Sequence, residues 1–153
     1  MLKIAEIMDR MVVSIPSSAS VIEAAQQMKA CGNGIIPVCD DGRFRGVITE
    51  RDIVVGIIAQ TLDPAAEKVF SVMKNNIPAV SPDDDIWHAA NMMVDNSTLI
   101  LPVVDRGNLV GLFTLEDFAR ESPALAAMVF TKKTMLQFSR EVNRSPRVNG
   151  GHK

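Results

Sequence analysis

Ile35-Ile36-Pro37-Val38-Cys39-Asp40-Asp41-Gly42 and Ile100-Leu101-Pro102-Val103-Val104-Asp105-Arg106-Gly107 stand 65 residues apart and read as one stretch written twice. At the same offset Gly46-Val47-Ile48-Thr49-Glu50-Arg51-Asp52 lies over Gly111-Leu112-Phe113-Thr114-Leu115-Glu116-Asp117. Upstream, Met8, Ala24, Ala25 and Met28 meet Met73, Ala89, Ala90 and Met93. The coincidences fall on Gly, Pro, Thr and Asp at fixed spacing, so the chain is an internal duplication.

Each copy predicts the same local order. An extended piece (Val12–Ile15; Ala79–Val80) precedes helix-start residues, Ser17-Ser18-Ala19-Ser20 in one copy and Ser81-Pro82-Asp83-Asp84-Asp85 in the other. Such side chains accept the free N–H groups of a first helical turn. Val21, Ala24, Ala25 and Met28 follow at helical spacing, matched by Ile86, Ala89, Ala90 and Met93. A buried strand, an Asp-x-Gly or Asp-Arg-Gly turn and a second strand predict a hairpin, and a last helix starts near Thr49 or Thr114. Each copy therefore reads β-α-β-β-α in an α/β (α+β) chain. Neither half buries a good core alone, so the sheets are expected to pack face to face about a pseudo-twofold axis. The expected divisions are repeat 1 at 3–60, repeat 2 with its connector at 61–120, and a C-terminal tail at 121–153.

Composition bounds the function. The 153 residues are 47% apolar and 22% charged, as in an ordinary globular protein, with no Tyr and one Trp. The start lacks a signal-peptide pattern and no run is long enough for a membrane span, so a cytoplasmic, membrane-free protein is expected. Cys31 and Cys39 suit a reducing compartment. With His88 and His152 the only histidines, no zinc-like spacing exists. Asp83-Asp84-Asp85 offers oxygens to a metal, yet its place at a helix start is explained by capping, and no metal site is expected. No phosphate-loop or complete dinucleotide fingerprint is present, and a Cys–His nucleophile lacks an activating cation, so no catalysis is expected.

Residues 1–120 carry ten Lys/Arg against sixteen Asp/Glu, and 121–153 carry six against two. Within that basic tail Leu125, Met128, Val129, Met135, Leu136 and Val142 predict an amphipathic helix over Pro123–Val142, followed by disorder from Asn143. The tail lacks the aromatic interleaving of a nucleic-acid surface, so nucleic acid is not an expected partner.

The doubled Pro-Val-x-Asp-x-Gly and Gly-h-h-Thr-x-x-Asp motifs (h apolar) resemble a tandem pair of cystathionine-β-synthase (CBS) domains, a Bateman module, over residues 3–120. That resemblance implies a regulatory module in which AMP, ADP, ATP or S-adenosylmethionine is bound between the repeats. It also implies dimerisation into a disc and signalling to an effector protein, with no cofactor required. Carried onto this chain, one cleft takes Thr114 and Asp117 with Val13, Ser14, Ile35 and Ile36; the other takes Thr49 and Asp52 with Pro78, Ala79, Ile100 and Leu101. An Asp three residues after a Thr at a strand-to-helix junction suits a ribose diol, and the helix start suits phosphate. Arg51 flanks Asp52 where Glu116 flanks Asp117, so the Thr49/Asp52 cleft is expected to prefer the phosphorylated ligand. The other is left empty or for an uncharged or cationic tail. The competing expectation is a ligand-free interaction disc, its Thr-x-x-Asp motifs capping helices only and its basic tail docking a partner.

Overall fold

The structure, a computed structural model, describes residues 2–144 apart from the side chains of Phe138 and Val142. Repeat 1 contains α1 (Val21–Cys31), β1 (Ile35–Asp40), β2 (Arg43–Thr49) and α2 (Glu50–Ile53), the last continuing as a wider π-helical turn over Val54–Ile58. Repeat 2 contains α3 (Ile86–Asp95), β3 (Ile100–Asp105), β4 (Asn108–Thr114) and α4 (Leu115–Glu121), and α5 (Pro123–Arg144) completes the described chain. The helices start where the sequence supplies caps. Ser20 and Glu23 form a reciprocal capping box on α1, and Asp85 accepts the Trp87 and His88 N–H groups of α3. The hairpin turns hold Asp41 and Arg106 at φ 51°, each followed by a left-handed glycine, which is the backbone of a type I′ turn.

The two hairpins meet at one antiparallel pair, Arg43 with Asn108, giving a four-stranded sheet in the order β1-β2-β4-β3. The expected leading strands shrink to single parallel bridges, Ile15 on Val38 and Val80 on Val103. A reason is visible one step along each ladder. The Ser17 N–H and hydroxyl both donate to the Asp40 carboxylate, at 3.0 and 2.7 Å. Pro82, which stands where Ser17 does, has no N–H to give.

The repeats exchange their leading segments. Asp9 pairs with Leu112 through two backbone hydrogen bonds of 2.9 Å, so residues 3–9 lie on repeat 2. Lys74 pairs with Val47 at 2.9 and 3.0 Å, so residues 68–74 lie on repeat 1. Ile4 and Met8 accordingly enter the repeat 2 core with Leu101, Val103, Phe113 and Phe118, while Val69 enters the repeat 1 core with Ile36, Val38 and Ile48. Phe113 and Phe118 are fully buried and meet edge-to-face at 5.0 Å between ring centres.

Two glycines make the exchange possible. A Cβ on Gly46 would sit 2.0 Å from the Lys74 carbonyl oxygen, and one on Gly111 would sit 2.8 Å from that of Asp9. Only a residue without a side chain lets the foreign segment run this close.

The tail helix is longer than expected and includes Asn143 and Arg144. Its first half does what the periodicity predicts, since Leu125 and Val129 are buried in the repeat 2 core together with Ala126. Met128, Met135 and Leu136 remain exposed. The disorder expected from Ser145 onward, and His152, lie outside the described residues.

Candidate functional site

Thr49 ends β2 and caps α2. Its hydroxyl accepts the Asp52 N–H at 3.1 Å, and the Asp52 carboxylate accepts the Thr49 N–H at 2.9 Å through Oδ2. Asp52 therefore has its second oxygen left for other work, and Lys74 Nζ lies 3.3 Å from that Oδ1. The carboxylate is 7% exposed, which strengthens its hold on a cation or a hydroxyl donor. Thr114 and Asp117 repeat the box at the start of α4, with the Thr114 N–H and hydroxyl both donating to Asp117 Oδ2, at 2.8 and 3.0 Å. Here Arg120 Nη1 stands 3.6 Å from Asp117 Oδ1. Capping thus uses one carboxylate oxygen in each repeat, and a largely exposed cation pairs with the other.

Thr49 lines one cavity, and Thr114 with Asp117 lines another; Asp52, paired with Lys74, is not part of the first cavity's lining. Beside Thr49 a space of about 670 Å³ is lined by Arg51, Lys74, Asn76, Ile77 and Pro78, by Ile35 and Ile100, by the Asn96–Thr98 loop, and by Lys133 and Gln137 of α5. Beside Thr114 a space of about 460 Å³ is lined by Asp117, Glu116 and Arg120, by Ile7, Met8 and Asp9, and by Asn33, Ile35, Ile100 and Leu112. Both volumes fall in the range of small-molecule pockets, roughly 300–1,000 Å³.

The two cavities are built on one plan with opposite charge. At the 65-residue offset Arg51 becomes Glu116, and Lys74 becomes Asp9. Both pairs line their cavities at equivalent places, because the exchanged backbone bridges deliver Lys74 to one and Asp9 to the other. One cleft is cationic around its Thr-x-x-Asp box and the other acidic, with Arg120 as the single cation lining it among the described residues.

The expected adenine-side residues divide. Ile35, Ile100 and Pro78 line the cavities. Ile36 and Leu101 do not: at 1% and 0% exposure they belong to the two cores, because neighbours on a strand point to opposite faces. Val13 and Ser14 are exposed ahead of the Ile15 bridge, and Ala79 is half-buried; none of the three lines either cavity. Sequence reasoning missed Lys74, Asp9, Lys133 and Gln137. The first two were within reach of it, since the offset that aligns Arg51 with Glu116 also aligns Lys74 with Asp9.

The remaining reactive groups are engaged locally. Asp83, Asp84 and Asp85 turn to different partners: Asp83 to Lys3, Asp84 to Ser81 and His88, and Asp85 to the N-terminus of α3. Among the described residues no group of three or more His, Cys, Asp and Glu is placed to hold a metal ion. Cys31 is exposed, and burial pushes the Cys39 thiol up, away from a reactive thiolate. Among the described residues no helix is long and apolar enough to cross a membrane.

Residues 4–59 and 69–124 each match the CBS domain family. Hypoxic response protein 1 of Mycobacterium tuberculosis is 32% identical over 128 residues, covering 83% of this chain and 90% of that protein. The crystal structure of Hypoxic Response Protein I with two coordinated zinc ions superposes with a TM-score of 0.73 at 31% identity, covering 79% of this chain and 99% of its own. The CBS domain pair of protein MJ0100, in complex with 5′-methylthioadenosine and S-adenosyl-L-methionine, gives a TM-score of 0.68 at 26% identity, covering 79% and 95%. A hexameric CBS-CP12 protein from bloom-forming cyanobacteria gives 0.66 at 27%, covering 79% and 68%. With the family matched twice over nearly its whole folded body, the chain belongs to the CBS domain family as a tandem pair, a regulatory module.

Proposed function

We propose that this CBS pair senses adenosyl compounds in two clefts of unequal preference and passes the state of those clefts to an effector protein by a change of shape. The cleft of Thr49, Arg51, Asp52 and Lys74 takes an adenine nucleotide such as AMP, ADP or ATP. The cleft of Asp9, Thr114, Glu116 and Asp117 takes an adenosyl compound with a neutral or cationic tail, for which S-adenosylmethionine and methylthioadenosine are the chemical types. The observation that carries this reading is the double charge inversion, Arg51/Glu116 and Lys74/Asp9, around two otherwise equivalent Thr-x-x-Asp boxes. A phosphate brought against two carboxylates is repelled, and one brought to Arg51 and Lys74 gains charge-assisted hydrogen bonds. The adenosyl ligands of the MJ0100 pair support the ligand class.

In this reading the ribose diol displaces Lys74 or Arg120 from the free Asp Oδ1, while Oδ2 keeps capping the helix. Ile35 and Ile100 offer the apolar surface for the base. Copies of the chain are proposed to pair as a homodimer in the cytoplasm; the exposed apolar side chains Val54, Val55 and Ile58 beyond α2 support such self-association.

A ligand binding only the folded state raises the melting temperature by mass action, about 2.7 kcal/mol of stabilisation at 100 times Kd. For a chain of this size that is a rise of about 5–10 °C. Differential scanning fluorimetry against AMP, ADP, ATP, S-adenosylmethionine and methylthioadenosine checks it. The second reading, a ligand-free interaction disc whose basic tail docks a partner, draws support from the fact that capping alone already engages both Thr and Asp pairs. It is the outcome if no compound shifts the melting curve and Asp52→Ala and Asp117→Ala, though less stable by about 1 kcal/mol for the lost caps, capture partners like the parent.

A further inference from the structure

We infer that the C-terminal helix α5 is the outer wall of the cationic cleft, and that its Lys133 selects nucleotides carrying more than one phosphate. This rests on the reading of that cleft as a nucleotide site and goes beyond it in naming the residue and the phosphate count.

The second family match ends at residue 124, where α5 has only begun. The helix then runs on to Arg144, packed on α3 and α4 by way of Leu125, Ala126 and Val129. Farther along it Lys133 and Gln137 reach the cavity of the opposite repeat, the one beside Thr49. Arg140 Nη1 is 3.4 Å from Ser97 Oγ, tying α5 to the Asn96–Thr98 loop, which lines the same cavity. The acidic cavity receives no side chain from α5 among the described residues. The second repeat alone is followed by such a helix, so α5 adds to one cleft what the duplication cannot give to both.

The charges then have distinct tasks. Lys74 pairs with Asp52 until the ribose takes its place, and Arg51 stands on the first turn of α2 beside the ribose-binding box. A single phosphate attached to that ribose is met by these two groups. Lys133 comes from α5, a different element from those that carry Arg51 and Lys74, and is not in an ion pair with Asp52, so it is available to a second or third phosphate.

Isothermal titration of the full chain with adenosine, AMP, ADP and ATP decides the matter. The parent protein is expected to bind ADP or ATP about tenfold more tightly than AMP, the scale of one charge-assisted contact. Lys133→Gln is expected to remove that advantage while leaving AMP affinity within about twofold, and Lys133→Arg to keep it. Circular dichroism and the melting temperature of each variant establish that α5 is still folded. Equal affinity of the parent for AMP and ADP, or undiminished ADP binding by a folded Lys133→Gln, overturns the role of α5 while leaving the nucleotide site standing. Absence of binding of all four compounds to the parent overturns the site reading, and this inference with it.

Discussion

Exchanging the charges of the cationic cleft, Arg51→Glu with Lys74→Asp, is expected to weaken ADP binding by about 100-fold, about 1.4 kcal/mol for each reversed group. Arg51 is exposed and Lys74 half so, which is why the expectation is held to about tenfold per residue rather than the larger values of enclosed pairs. The loss should shrink in high salt, since exposed charges are screened over about 10 Å at 0.1 M. The mirror variant, Asp9→Lys with Glu116→Arg, should create weak ADP binding in the cleft of Thr114. Calorimetric titration of the two double variants at two salt concentrations checks both directions. An Arg51→Glu/Lys74→Asp protein that binds ADP as tightly as the parent would refute the electrostatic account of the cleft.

The second large effect is on stability. Gly46→Ala puts a Cβ 2.0 Å from the Lys74 carbonyl oxygen, which is backbone and cannot swing aside. Either the bridge between Val47 and Lys74 opens or strand β2 shifts, at a cost of about 3 kcal/mol. The melting temperature should fall by about 6–12 °C in a chain of this length. Gly34→Ala is the matched control: its new methyl meets only the carboxyl end of the Glu50 side chain, which is free to rotate away. That variant should melt within about 2 °C of the parent. Because the Val47 bridge also sets Lys74 beside Asp52, Gly46→Ala should lose nucleotide affinity along with stability. Thermal melts of the two variants, with and without ADP, test the pair together.

What could be read in the chain beforehand follows from how local each feature is. The hairpins with their Asp-Gly and Arg-Gly turns, the helices begun by Ser20 and Asp85, and the Thr-x-x-Asp boxes are each written within a few residues, and the duplication shows as their recurrence 65 residues on. The exchange of leading segments is not so local. It depends on Lys74 meeting Val47 and Asp9 meeting Leu112 across the pseudo-twofold, and the sequence sign of it is only the presence of Gly46 and Gly111. Lys133 was out of reach for the same reason: nothing near it in the chain says that α5 crosses to the other repeat's cavity. Ile36 and Leu101 are a different matter. Strand alternation forbids both members of Ile35-Ile36, or of Ile100-Leu101, from facing one cleft; applying it would have left one of each pair for the cavity and the other for the core, and the structure puts Ile36 and Leu101 in the cores.

Two clefts that accept different ligands at once should fill independently. Titrating S-adenosylmethionine into protein already saturated with ADP measures this most directly. The expected result is one further equivalent bound per chain with its affinity unchanged by ADP, sensitive to Asp117→Ala and indifferent to Asp52→Ala. Displacement of one ligand by the other, or loss of both on mutation of a single Asp, would contradict it.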